Sequence, residues 1–311
     1  MILLFKISIT YLFFFLSGFW ISKYNKLQDS LETGVVSVLF GYSITQVLFY
    51  SIFLFSRQIG ASFFLTVSIL FPFILLSIWT IFKERIQINF VTLVVIGSIF
   101  FVVVLNYLWP HFWIGYGEYF LTGNGDIADN FNGMLYFHNP EKFKIDGLVN
   151  KLYQIERSVV TRGTDPAGWF LYDYVSGQYS TLAFFSILLG LTFSFDIVAI
   201  HNTFIISLFP LAILVSVRRL FKTPLVVAAL VGIFSIYGNF YFSTFYNGHQ
   251  GSLTMCTIGA LLLFYVNKFF EDFKNINWSD YLIAITLTLI IMRVYPYPLF
   301  LLLTPFLIFM A

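Results

Sequence analysis

Long apolar stretches separated by short polar turns set the pattern of this chain. Runs with almost no charge extend over Ile2–Ile21, Gly34–Ser56, Gly60–Phe82 and Ile88–Trp109. After a polar region they resume at Ile197–Val217, Pro224–Phe242, Leu253–Val266 and Tyr281–Val294. Crossing about 30 Å of hydrocarbon takes roughly 17–25 helical residues, so each run is expected to be a membrane-spanning helix. A lipid-exposed backbone must satisfy its own hydrogen bonds, and the short alternating strands of a barrel are missing. A further run, Leu299–Ala311, stops without a flank or cap and reads as a helix cut short, the natural chain continuing beyond it. The first run lacks the small-residue cleavage site of a secretory signal and is expected to stay as a span.

Composition supports lipid as the solvent. Of the 311 residues, 59% are hydrophobic and 10% charged, against about 25% charged in an ordinary soluble domain. The expected fold is therefore an all-α integral membrane protein with about eight to nine transmembrane helices and one large extracytoplasmic loop carrying interfacial helices. A formal net charge of +2 gives no footprint for nucleic acid, and the single Cys256 excludes a disulfide framework within the chain. Abundant Phe, Ile and Asn point to an AT-rich genome, as in a bacterium, and to the inner or plasma membrane as location.

Lysine and arginine in short loops set orientation. Four basic clusters, Lys23 with Lys26, Lys83 with Arg85, Arg218 and Arg219 with Lys222, and Lys268 with Lys274, all face the cytoplasm if the spans alternate. That holds only if Tyr179–Phe195 does not cross, which makes it a helix lying at, or dipping into, the outer interface. The expected organisation is residues 1–87 as the first three spans, 88–110 as the fourth, 111–196 as the extracytoplasmic loop with juxtamembrane helices, and 197–311 as the remaining spans. Eight of the 15 acidic residues then fall between Pro110 and Gln178, and His111, His138, His201, His249 and Arg293 lie on or near the same outer face. Ionisable groups near helix ends within membranes are often functional, so the chemistry is expected there.

Within the loop, Gly123–Asn124–Gly125 signals a turn. Asp126 follows as a candidate N-cap of a short helix, and Asp129 shares its face three residues on. The pair suits a general base with an electrostatic partner, or the oxygen ligands of a divalent cation, Mg or Mn. Capping and solvation account for the same residues, and Glu118 is the next acidic candidate. Arg162, in Arg162–Trp169, is either part of a turn or a phosphate partner. His249 and Gln250 lie in Phe245–Ser252 as an interfacial turn or as sugar or phosphate contacts, and Arg293 either snorkels or pairs with a lipid phosphate. No nucleotide fingerprint, zinc spacing or nucleophile elbow is present.

A span ending in aromatics is followed by a loop with an early acid and interfacial helices. A short apolar helix ending at Leu189–Gly190 comes next, then a span and the basic turn Arg218–Arg219–Leu220–Phe221. Over roughly Ile88–Val266 this resembles the GT-C superfamily of polytopic glycosyltransferases, such as protein mannosyltransferases and lipid A aminoarabinose transferases. The resemblance implies a catalytic Asp or Glu in the first large outer loop, a polyprenyl-phosphate-linked sugar as donor, and an acceptor approaching from outside. Here that loop follows the fourth span, and Gly177–Gln178–Tyr179–Ser180 stands where the family starts its interfacial helix with a His-Pro-Pro-Leu-like sequence. The function expected is transfer of a sugar to an extracytoplasmic acceptor in contact with membrane lipid. The alternatives are an O-antigen or capsule polymerase or ligase, and a non-catalytic lipid or polysaccharide transporter.

Overall fold

The computed structural model describes residues 2–25, 27, 29–84, 90–108, 176–191, 196–237, 250–271 and 276–294. Among these the regular structure is helical throughout: α1 (Ile2–Ser22), α2 (Ser30–Ser56), α3 (Ile59–Glu84), α4 (Phe90–Val103), α5 (Ser176–Leu188), α6 (Asp196–Phe221), α7 (Leu225–Ser235), α8 (Gln250–Glu271) and α9 (Trp278–Val294). A π-helical turn, Val104–Leu108, continues α4. Six of the helices, α1 to α3, α4 together with its π-helical turn, α6 and α8, are long and apolar enough to cross a membrane. The chain is thus a multi-pass helical membrane protein. Of the remaining expected spans, α9 has 17 residues and α7 has 11. The run expected to extend from Pro224 to Phe242 leaves its helix at Ser235, turns through Ile236 and Tyr237, and then passes outside the described residues. The run from Leu299 also lies outside them.

Polar residues between the spans become caps. Asp29, in extended backbone, accepts the Glu32 N–H at 3.0 Å and starts α2. Asn277 accepts the Ser279 N–H at 3.0 Å to start α9, while the Asp280 carboxylate accepts the Asn277 N–H at 3.0 Å, a reciprocal capping pair.

The same polar residues tie helix ends together at one end of the bundle. Lys23, after α1, pairs with Glu84 at the end of α3. Arg218, in the last turn of α6, reaches Asp29 at 2.5 Å, and Arg219 reaches the fully buried Glu32 at 3.6 Å. Lys268 of α8 meets Asp280 of α9 at 2.6 Å. Asn25 joins the groups by donating to the Tyr265 hydroxyl at 3.0 Å and accepting from Ser279 at 2.9 Å. Residues from all four basic clusters of the sequence therefore come to one end, where α1, α3, α6 and α8 finish and α2 and α9 begin.

The helix α5 is buried inside the bundle. Its 13 residues rise about 20 Å at 1.5 Å each, too short to cross. From Tyr179 to Ser186 every side chain is buried, packed by α2, α3, α6 and α9. Phe184 sits among Phe13, Phe14, Phe49 and Phe63, with ring centroids 5.1–6.3 Å away. The helix stops at Gly190, whose φ of +62° suits glycine. There the Leu191 N–H reaches back to the Ser186 carbonyl at 2.8 Å, the Schellman pattern. The sequence leaves this segment at the interface or dipping in, and its burial among other helices fits the second. It begins at Ser176 and ends at Leu188, shorter than the run 179–195. The reason is chemical: Leu182, Ala183, Phe184 and Phe185 are consecutive apolar residues, so no side of the helix is polar enough to face water.

Candidate polar site within the helix bundle

One face of α2 carries Tyr42, Gln46 and Tyr50 at successive spacings of four, which stack on a helix surface. Tyr42 lies ten residues beyond Glu32, about 15 Å from the basic end, and Tyr50 about 12 Å farther. This stripe therefore runs from mid-bundle toward the opposite end. The Tyr42 hydroxyl lies 3.2 Å from His201 Nε2 on α6. Thr181 of α5 and Thr254 of α8 are also within hydrogen-bonding reach of that hydroxyl. Phe185 of α5 closes on the His201 ring edge-on, at 5.2 Å. At the outer part of the stripe, the Arg293 guanidinium of α9 lies over the face of the Tyr50 ring, a cation–π contact.

The polar groups between these anchors are incompletely satisfied. Gln46 and Asn202 are 2% and 1% exposed. The Gln46 amide finds no hydrogen-bond partner among the described residues, while the Asn202 amide lies within loose hydrogen-bonding reach of the His201 ring. Most buried polar atoms in folded proteins are paired, and leaving one unpaired costs about 1–3 kcal/mol. An open amide on α2, one turn from Tyr42, and an amide and imidazole side by side on α6 are donors and acceptors suited to hydroxyl groups. Arg293 adds a fixed positive charge toward the opposite end. The described part of this set carries no carboxylate; it can bind and orient a polar group.

Of the residues expected from sequence, Arg293 is placed in this site and His201 lies at its centre. Gln250 is the first residue of α8. Asp126, Asp129, Glu118, Arg162 and His249 lie outside the described residues. Among the described residues, no group of three His, Cys, Asp or Glu side chains comes together as a metal site. Sequence reasoning missed Tyr42, Gln46, Tyr50 and Asn202. Their signal was the fourfold spacing Tyr42–Gln46–Tyr50 inside a span, and an amide beside a histidine in another. No known protein family, curated protein or solved structure matches the chain.

Proposed function

We propose that the chain is a membrane glycosyltransferase acting at the end of the bundle opposite the basic clusters. It moves a sugar from a polyprenyl-phosphate donor to an extracytoplasmic acceptor, with the basic end in the cytoplasm and the protein in the inner or plasma membrane. Eight spans and a large outer loop between Pro110 and Gln178 belong to the same proposal. The observation that carries it is the buried polar set of Gln46, His201 and Asn202, of which Gln46 has no partner among the described residues, with Arg293 over Tyr50 one turn beyond Gln46 on α2. Polar groups held open inside a membrane bundle imply a polar substrate. A lipid-linked sugar brings hydroxyls and a phosphate on a chain that partitions into the bilayer.

In the proposed reaction the acceptor hydroxyl attacks the anomeric carbon as the bond from that carbon to the phosphate oxygen breaks. The acceptor's proton passes to Asp126 or Asp129, with Glu118 the next candidate, and the polyprenyl phosphate leaves with the bonding electron pair. Arg293, with Arg162, His249 and Gln250, holds the phosphate and stabilises its charge. A divalent cation, Mg or Mn, on Asp126 and Asp129 would supply further charge neutralisation.

Turnover of lipid-linked sugar in membranes, compared with and without the gene, tests the proposal. Expected is a gene-dependent loss of the lipid-linked pool with gain of glycosylated acceptor, abolished by Arg293→Ala. Lengthening of an existing glycan chain would instead mark a polymerase or ligase. Movement of the intact lipid-linked sugar across the bilayer with no transfer would mark a transporter. Either result overturns the proposal.

A further inference from the structure

At the basic end a cleft of about 580 Å³ lies between α1 and α4, floored by α2 and α6. Leu12 and Phe15 of α1, Val38 of α2, Leu93 and Ile96 of α4 and Leu211 of α6 make its walls. Leu12 and Leu93 are about half exposed, so the cleft opens on the surface that faces lipid. Its far end is closed by Tyr11, whose hydroxyl already bonds Ser207 and the Phe204 carbonyl; nothing polar is offered there. Its near end is polar, with Lys23, Ser30, Thr33 and Glu84 on the rim. Lys83 stands beside Glu84 over the Trp79 ring, and Asp29, next to Ser30, is paired with Arg218. The described charges here, Lys23, Lys83 and Arg218 against Glu84 and Asp29, leave one cation in excess.

We propose that this cleft is a binding site for one anionic phospholipid, an acyl chain along α1 and α4 and the phosphate at Lys23. The shape sets the order: hydrocarbon toward Tyr11, headgroup toward the basic end. Charge selects the class, since basic residues at the surface of a leaflet attract anionic headgroups. The Lys23–Glu84 pair limits that attraction, because the carboxylate competes with the phosphate for the same ammonium. The polar rim is at the end away from His201 and Arg293, so the site is separate from the transferase site and does not depend on that proposal.

Gly34 supplies a clean test. It lines the cleft, and a Cβ added there meets nothing within 4 Å, so the side chain of Gly34→Leu starts in the open space of the cleft. Gly60, equally open and outside the cleft, is the control. The full chain is delipidated in detergent and examined by native mass spectrometry during titration with phosphatidylglycerol or phosphatidylcholine. Expected is one bound phosphatidylglycerol per chain, preferred about five-fold over phosphatidylcholine, as one basic residue at a membrane surface provides. Gly34→Leu should lose the bound lipid while Gly60→Leu keeps it. Lys23→Gln should erase the preference, and Glu84→Gln should increase it. Equal binding of the two lipids by the unmodified chain, or full retention by Gly34→Leu, overturns the proposal.

Discussion

Gly18 and Gly41 face each other across the α1–α2 crossing with no side chain between the two backbones. A Cβ built at Gly18 would collide with the Ser37 carbonyl oxygen and the Gly41 nitrogen; one built at Gly41 would collide with the Phe14 carbonyl oxygen. Ser37 and Gly41 are four apart, the small-residue spacing that lets helices approach closely in membranes, where dispersion and weak polar contacts hold them. This crossing fixes how α1 lies on α2, and so where Phe14 meets Tyr42 (5.4 Å) and Phe204 (5.2 Å) beneath the polar stripe.

Leucine at Gly18 or Gly41 must therefore part the helices. Overpacking of a tight contact typically destabilises by about 1–3 kcal/mol, and here the obstacle is backbone, which cannot turn aside. Thermal unfolding of the detergent-solubilised chain should show both variants clearly destabilised or absent from the folded fraction. Gly60→Leu, in open space, should unfold like the unmodified chain. Equal stability of Gly41→Leu and Gly60→Leu would show that the crossing is looser than described.

Glu32 is fully buried and faced by Arg218 at 3.8 Å and Arg219 at 3.6 Å. Removing both arginines leaves a buried carboxylate without its charge partners, a change that typically costs about 3–5 kcal/mol. Replacing Glu32 by Gln at the same time removes the buried charge. The triple variant Arg218→Ala, Arg219→Ala, Glu32→Gln should then be more stable than the double arginine variant. If the glutamine gives no recovery, the pairing contributes nothing to the fold.

Reporter fusions test orientation. Those at Lys23, Lys83, Arg219 and Lys274 are expected on the cytoplasmic side, and those at Lys142 and Gly248 outside. The Arg219 fusion is decisive, because it counts the crossings between α4 and α6. An externally active reporter at that position would overturn both the shared basic end and the reading that the segment holding α5 does not cross.

The spans were legible because hydrocarbon demands a long apolar run wherever the chain crosses, and α1 to α4, α6 and α8 follow the runs within a few residues. The shared end of Lys23, Lys83, Arg218 and Lys268 was legible from loop charge for the same kind of reason. Depth and neighbours were not. In water a buried face is apolar and an exposed face polar, so periodicity tells them apart; in lipid both are apolar and the contrast fades. Hence the insertion of α5, the Gly18–Gly41 contact and the cleft beside Gly34 left little trace in the pattern. Gln46 and Asn202 were overlooked because a single amide scarcely changes the average over a span of some twenty residues. His201 and Arg293 stood out because ionisable groups are rare there.

The carboxylates of the loop separate by size of effect. A positioned general base contributes about 100- to 10,000-fold in rate, whereas a helix cap contributes about 1 kcal/mol of stability. Asparagine keeps most capping ability and removes the base. Asp126→Asn or Asp129→Asn is therefore expected to lower transfer by at least about 100-fold with normal expression. Full transfer by both would make the pair structural and pass the role to Glu118, where Glu118→Gln repeats the measurement.

Gln46 and Asn202 should show opposite signs for stability and for activity. A buried amide without a partner burdens the fold, since its desolvation is uncompensated by any hydrogen bond. Gln46→Met keeps the length and shape of the side chain and removes the polar atoms; Asn202→Leu does nearly the same. Gln46→Met should raise the unfolding temperature, by an amount of order 1–3 kcal/mol in stability, and Asn202→Leu by less, since its amide also meets the His201 ring. If the amides are held open to meet substrate hydroxyls, the same changes should lower transfer, because each absent hydrogen bond to substrate weakens binding or positioning. A core residue with no such role would gain stability and leave activity untouched. Stability–activity trade-offs of this kind arise where a site stays incompletely satisfied until its ligand arrives. Thermal unfolding and lipid-linked sugar turnover, measured on the same preparations, decide the matter. Higher stability with unchanged turnover in both variants would remove Gln46 and Asn202 from the site, whereas lower stability would show that the amides already have partners in the folded chain.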